Sequence, residues 1–510
     1  DAQADENTTP VLFIRPARNF PEGHRIIVAL RDLRTADDQP IDPPDSFRVY
    51  RDRLRTEDDV VEGRRDAMDA VLDDLDEAGI PTDDLYLAWD FTVASERSLS
   101  ERLLHMRDDA FAVLGDEAPA FTVDQEDLTD QLPRTVTGTF EVPLYLTGEG
   151  EPGSVLNNGD GPEDDPLPEQ NGAFDARFIC VLTTADPQGS AVYGHGLLGS
   201  AEEVLGASPT VGTENDISFC ATDWIGMSAQ DIGNVGSLLQ DLSEFRSLAD
   251  RLQQGILNML FLGRAMIHED GFVSHPAFQA AGEPMLDTEH LFFNGNSQGG
   301  ILGGATTAVA QDWTRAVLGV PAMNYSTLLQ RSIDYDDYDA LLRQSYPDEI
   351  DRVVAGGLIQ MLWDRGENNG YAQHLASDPY PDTPEHQVLL FEAFGDHQVA
   401  NVATEVMART IGARVRQPAL ADGRSTSVEP FWGIEGVDAG DLPADEGSFV
   451  VIWDFGTPAP PDTNVPPREG DDPHGMGGEV RAVRDMAAHF LLEGELIDVC
   501  EGEPCRTRPG

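Results

Sequence analysis

From about residue 134 onward, short apolar runs alternate with longer helical patterns, and that alternation restricts the fold more than any other feature of the chain. Runs at 135–146 and 176–183 read as the first strands, joined through an acidic loop at 148–172 rich in Gly, Asp and Pro. Runs at 191–194, Ile217–Thr222, 290–294, 316–320, 388–394 and 449–454 follow as short strands, and the long gaps hold helical patterns, most plainly 238–267. Strands apolar along their whole length are buried on both faces, so helices must cover both sides of a mostly parallel sheet. Between 321 and 384 no strand pattern occurs, and helical stretches rich in Tyr, Leu and Met fill the space, where a cap would sit. The expectation is an α/β fold whose catalytic domain spans 131–500 with a cap insertion at about 321–384, followed by a short tail at 501–510.

Residues 1–130 differ in texture. They mix short runs at 11–14, 25–30 and 85–95 with helical patterns at 60–78 and 99–114, which are closed by Gly79 and Gly115. They read as an N-terminal β-rich accessory region, and the segment 21–30 resembles bacterial immunoglobulin-like modules. A wrap packed directly on the core is the alternative.

Charge narrows the partners. The chain carries 92 acidic against 33 basic residues, a net charge of -59, and every basic residue is arginine. Such a surface repels nucleic acid and anionic membranes, and its dense carboxylates suit solubility in salt. No uninterrupted apolar run reaches the roughly 18 residues that would suggest a membrane span. The four cysteines, Cys180, Cys220, Cys500 and Cys505, allow three pairings. Proximity favours Cys500–Cys505, which leaves Cys180–Cys220 to join two strands, and an even count suits an oxidising compartment, with four reduced thiols as the alternative. The chain opens at Asp1 without a methionine, as a chain relieved of a signal peptide would, and a trimmed chain would look the same.

The chemistry gathers around Gly295-Asn296-Ser297-Gln298-Gly299. A serine between two glycines, after the β-run Leu291-Phe292-Phe293 and before a small-residue helix start, fits a nucleophile elbow. Upstream, Tyr193-Gly194-His195-Gly196-Leu197-Leu198-Gly199 follows a short strand and has the composition of an oxyanion loop, so the amides of Leu197 and Gln298 become the expected donors. His195 reads as a structural hydrogen-bonding residue. A serine hydroxyl needs a histidine to take its proton and a carboxylate to hold that ring. Asp396 follows the strand 388–394 and is the first choice of acid; Asp454, at the end of another strand, is the rival. Three histidines follow Asp396: His397 is its immediate neighbour, His489 sits in a helical run, and His474, in Asp472-Pro473-His474-Gly475, lies on a loop able to reach over the sheet edge. His474 is therefore the expected base.

The elbow, the His-Gly loop, Gly395-Asp396 and His474-Gly475, in this order, resemble the α/β-hydrolase superfamily from about residue 134 to 492. The resemblance implies a cofactor-free serine hydrolase of the esterase, lipase, amidase or peptidase kind. A secreted esterase acting on a small or polymeric ester is the first reading, a secreted peptidase or amidase the second, and a non-catalytic binding protein on a decayed scaffold the third. Tyr325, Met361, Trp363 and Tyr371 in the cap are the candidates for lining a substrate pocket. No metal site is expected: the acidic segment 157–165 offers oxygen atoms of the kind Ca²⁺ prefers but lacks the spacing of an EF-hand loop.

Overall fold

The computed structural model describes residues 12–126, 132–159, 166–206 and 208–507. The acidic segment weighed for Ca²⁺ falls in large part outside the described residues. Among the described residues no group of three or more His, Cys, Asp or Glu side chains is placed to hold a metal ion, and no helix is long and apolar enough to cross a membrane.

The chain divides into a small unit, Phe20–Ser98, and a large one containing Leu99 onward. In the small unit the strands Arg25–Arg31 and Leu85–Thr92 pair antiparallel. Helix Arg65–Glu77 places Val71, Leu72 and Leu75 on one stripe, where they bury Leu85 and Ala88 of the second strand together with Phe47 and Tyr50. Helices thus cover this strand pair, and the second sheet that an immunoglobulin-like sandwich needs is absent from the unit. The boundary lies near residue 98 and not near 130, because α1 (Glu101–Leu114) buries Leu103, Leu104, Met106 and Ala110 in the core of the large unit. Residues 12–14, expected as part of a strand, have no regular structure.

The large unit is built on one 11-stranded sheet. In chain order its strands are β1 (Phe121–Glu126), β2 (Arg134–Pro143), β3 (Ala173–Leu182), β4 (Gly189–Gly194), β5 (Ile217–Thr222), β6 (Leu291–Asn296), β7 (Arg315–Gly319), β8 (Gln387–Ala393), β9 (Arg414–Gln417), β10 (Gly436–Asp438) and β11 (Phe449–Trp453). Across the sheet they run β10-β9-β11-β8-β7-β6-β4-β5-β3-β2-β1. β4 to β11 are mutually parallel, whereas β1, β2 and β3 join antiparallel at one edge. The period of two along each strand feeds two separate cores: in β8, Val388 and Leu390 enter one cluster while Leu389, Phe391 and Ala393 enter the other. The first cluster is closed by α2 (Arg246–Ile267), α3 (Gln298–Ala308) and α6 (Asn401–Ile411), the second by α7 (Arg481–Glu493). The helical pattern expected at 238–267 is interrupted, with a short helix Ile232–Leu238 and a separate α2. Between β7 and β8, α4 (Asp336–Ser345) and α5 (Glu349–Trp363) form the cap segment. Cys180 and Cys220, directly opposed on β3 and β5, form one disulfide, and Cys500–Cys505 the other.

This is an α/β-hydrolase fold, and its topology fixes where chemistry can happen. After β4 the chain packs Ala201 and Val204 into the second core, whereas after β6 it packs Ile301 and Leu302 into the first. Adjacent parallel strands whose connections leave to opposite faces open a crevice at their carboxyl ends, the topological switch point.

Candidate active site

Ser297 stands at that crevice, where β6 ends and α3 begins. Its backbone is left-handed (φ 61°, ψ -124°), a conformation that costs a non-glycine residue about 1–3 kcal/mol and persists only where the surroundings enforce it. The enforcement is legible in the flanking glycines. A Cβ at 295 would strike the carbonyl of Gly299, and a Cβ at 299 would strike the carbonyl of Gly194 on β4. Both positions must stay bare for the turn to close. Gln298 begins α3, so its N–H is one of the amides that a helix leaves without an internal partner.

The loop after β4 lies against this turn. The Gln298 side-chain carbonyl accepts a hydrogen bond from Leu198 N–H at 3.2 Å, and its amide donates to Met227 O at 2.9 Å. Glu203 accepts from Gly196 N–H at 2.7 Å. The elbow and the loop thereby hold one another, and Leu197 lines the same cleft as Ser297. His195 is spent on structure: its Nε2 accepts from Trp224 N–H at 2.9 Å, so Nδ1 carries the proton and donates to Gly196 O, also at 2.9 Å. Burial lowers its pKa.

Asp396 and His474 meet across 78 residues of chain, with His474 Nδ1 at 2.8 Å from Asp396 Oδ2 and 3.1 Å from Oδ1. The carboxylate is aimed by its own loop, since Oδ1 accepts from Gln398 N–H and Val399 N–H at 2.8 and 2.9 Å. Burial works against a charged His474, but Asp396, and behind it Asp472 and Asp334, outweigh it and raise the imidazole pKa. His474 and Ser297 line one cleft. The rival acid is otherwise engaged. Asp454 pairs with Arg424 through both oxygens, at 2.6 and 2.7 Å, and accepts from Gly456 N–H. Burial alone would raise its pKa, yet these bonds hold it below the ordinary carboxylate value. His397 is buried and uses its backbone N–H on Asp472, while His489 lies on α7 beside Glu495.

Of the four cap residues, Tyr325 and Trp363 stack at 4.1 Å and line the cavity that Ser297 opens into. Met361 and Tyr371 are not brought there. Met361 lies about 200° around α5 from Trp363 and is 62% exposed. Tyr371 is fully buried, with its hydroxyl donating to Arg365 O at 2.8 Å.

Sequence reasoning passed over three carboxylates. Asp472 accepts from the N–H of both His397 and His474 and from Gln398 Nε2, tying the histidine loop to the loop after β8. Glu203 anchors the loop after β4, and Asp334, from the cap segment, faces the cleft beside Ser297 and His474. Asp472, two residues before His474, was open to detection as a side chain able to cap its own turn. Asp334 meets the cleft from a distant part of the chain, and Glu203, seven residues after Gly196, follows no turn or cap pattern that would mark it.

No family model matches the chain, and no curated protein does. Among solved structures, acetyl xylan esterase 1 from Thermoanaerobacterium sp. aligns at 12% identity over 78% of this chain and 94% of its own, with a TM-score of 0.42. An acetyl xylan esterase from Paenibacillus sp. aligns at 12% identity over 76% and 95%, TM-score 0.39. A puromycin-hydrolyzing peptidase of Mycobacterium tuberculosis aligns at 12% identity over 73% of this chain and 48% of its own, TM-score 0.35. The fold assignment stands on the strand order and the turn at Ser297 and not on these figures.

Proposed function

We propose that the chain is a secreted serine hydrolase that cleaves carboxylic esters through an acyl-enzyme. Ser297 Oγ attacks the carbonyl carbon as its proton passes to His474 Nε2, and the oxyanion rests on the N–H groups of Leu197 and Gln298. Collapse breaks the bond to the alcohol oxygen, which leaves with the proton held by His474. Water then attacks the acyl-enzyme carbonyl and gives a proton to His474; collapse breaks the bond to Ser297 Oγ, which takes that proton from His474 as the acid is released. The observation that carries this reading is the 2.8 Å contact of His474 Nδ1 with Asp396 beside the cleft that Ser297 lines. With Nδ1 engaged, Nε2 is the nitrogen left to serve the serine. Esters come before amides because an amine leaving group demands stronger protonation by the same ring.

Two cross-linked cysteine pairs support an oxidising, extracellular setting, and Phe20–Ser98 is read as an accessory module distinct from the catalytic unit. Active-site labelling with a fluorophosphonate, followed by mapping of the modified peptide, should place the label on Ser297. Ser297→Ala should abolish hydrolysis of chromogenic esters with the fold intact. Anilides turned over faster than esters would favour the peptidase or amidase reading instead.

A further inference from the structure

Two cavities meet at Ser297, and their walls differ in kind. Leu197, Ser297, Asp334 and Gln398 belong to both and mark the junction. On one side lies an open-mouthed chamber walled beyond the junction by Val235, Leu238, Leu239, Phe245, Leu328 and Trp363. On the other side lies a vestibule lined by His474, Glu203, Tyr193 and Asn296. The reaction assigns one substrate limb to each. The leaving oxygen takes its proton from His474, so the alcohol must sit on the His474 side. The carbonyl oxygen is fixed by the amides of Leu197 and Gln298, which leaves the chamber for the acyl chain.

We propose that Ser297 acts on esters of multi-carbon apolar acids, with the acyl chain in the chamber behind Val235 and Trp363 and the alcohol in the carboxylate-lined vestibule. This rests on the esterase reading above and adds substrate class and orientation to it. Each methylene moved from water onto such walls favours binding by roughly fourfold. Several methylenes would therefore separate long-chain from acetyl esters by on the order of 10- to 100-fold, after the cost of ordering a flexible chain. The acidic vestibule disfavours an anionic alcohol portion by like-charge repulsion.

The test uses two ester series with the full chain: ethyl esters from acetate to dodecanoate, which lengthen the acyl limb, and acetate esters from ethanol to dodecanol, which lengthen the alcohol limb. In the parent, kcat/KM should climb with acyl length at least tenfold between acetate and octanoate. Val235→Trp, on the short helix Ile232–Leu238, should cut the octanoate-to-acetate ratio at least tenfold while the dependence on alcohol length keeps its slope. Leu239→Ala should move the best acyl length upward. Ratios are unaffected by the fraction of folded enzyme, so a poorly folding variant does not mimic the result. A flat acyl series, or compression of the alcohol series instead, overturns the proposal while Ser297-dependent hydrolysis keeps the esterase reading. Ester hydrolysis that survives Ser297→Ala overturns both.

Discussion

Two strands of the sheet are followed by aspartates, β8 by Asp396 and β11 by Asp454, and their surroundings drive them to opposite uses. Asp396 takes backbone N–H groups on Oδ1 and turns the carboxylate toward His474. Asp454 is occupied on both oxygens by one guanidinium. Both aspartates accept N–H groups from their own loops, so what separates them is the guanidinium that occupies Asp454. Backbone amides hold the group in place without a counter-charge and leave room for an imidazole. Arg424 fills that room.

The largest expected effect separates the two directly. Asp396→Asn should lower kcat/KM for an ester by on the order of 10⁴-fold, the loss found when a triad aspartate is made neutral, whereas Asp454→Asn should change it less than tenfold. Steady-state kinetics on one substrate under one buffer decides it. The comparison breaks if Asp454→Asn is the inactive variant.

The next effect concerns the cap. Trp363 is packed between Tyr325 and Phe245, with ring centroids at 4.1 and 5.0 Å. Trp363→Ala should cost about 3–5 kcal/mol of stability and also alter the ranking of acyl chains. Loss of melting temperature with an unchanged ranking would make Trp363 a packing residue alone.

A smaller effect tests the electrostatics around His474. Asp334 is among the carboxylates that raise its pKa, so Asp334→Asn should lower that value and move the acid limb of the pH–rate profile toward lower pH, because the neutral ring is the base. The link to stability runs the other way. A raised imidazole pKa means that the His474–Asp396 pair stabilises the fold fully below about pH 6.5 and loses that contribution as pH rises through the raised value. An acid limb that stays in place in Asp334→Asn would show that the carboxylate is screened from the ring.

The smallest effect belongs to Asp454. Its lowered pKa contributes stability above the ordinary aspartate value of about 3.9, and the contribution is lost as pH falls through the folded value. Asp454→Asn should therefore cost about 1 kcal/mol or less at pH 7, since Arg424 is partly exposed, and the cost should shrink at an acid pH as the folded carboxylate takes up its proton. Thermal melts at both pH values would check the difference.

Much of this was legible in the residues themselves, and the limits have physical causes. The sheet strands announce themselves because burial on both faces leaves nearly continuous apolar runs such as Val388-Leu389-Leu390-Phe391. The elbow is readable because the steric demand, whether from the turn itself at Gly295 or from the neighbouring strand at Gly299, falls at fixed positions two residues either side of Ser297. What failed depends on direction around a helix or on contacts distant in sequence. Composition chose Met361 together with Trp363, although two helical residues that close together face different ways. Helix α1 was grouped with residues 1–98 by proximity, whereas its apolar stripe buries in the larger core. The chamber wall at Val235, Leu238 and Leu239 gives no signal in the sequence, since nothing in a leucine says whether its neighbour is protein or empty space.

The central claim is that Ser297 is made nucleophilic by His474 held on Asp396, and the rate of fluorophosphonate labelling measures that activation without needing the natural substrate. Labelling should map to Ser297, fall by orders of magnitude in Asp396→Asn, and proceed near the parent rate in Asp454→Asn. Label on another residue, or a rate that collapses in Asp454→Asn and survives in Asp396→Asn, would contradict it.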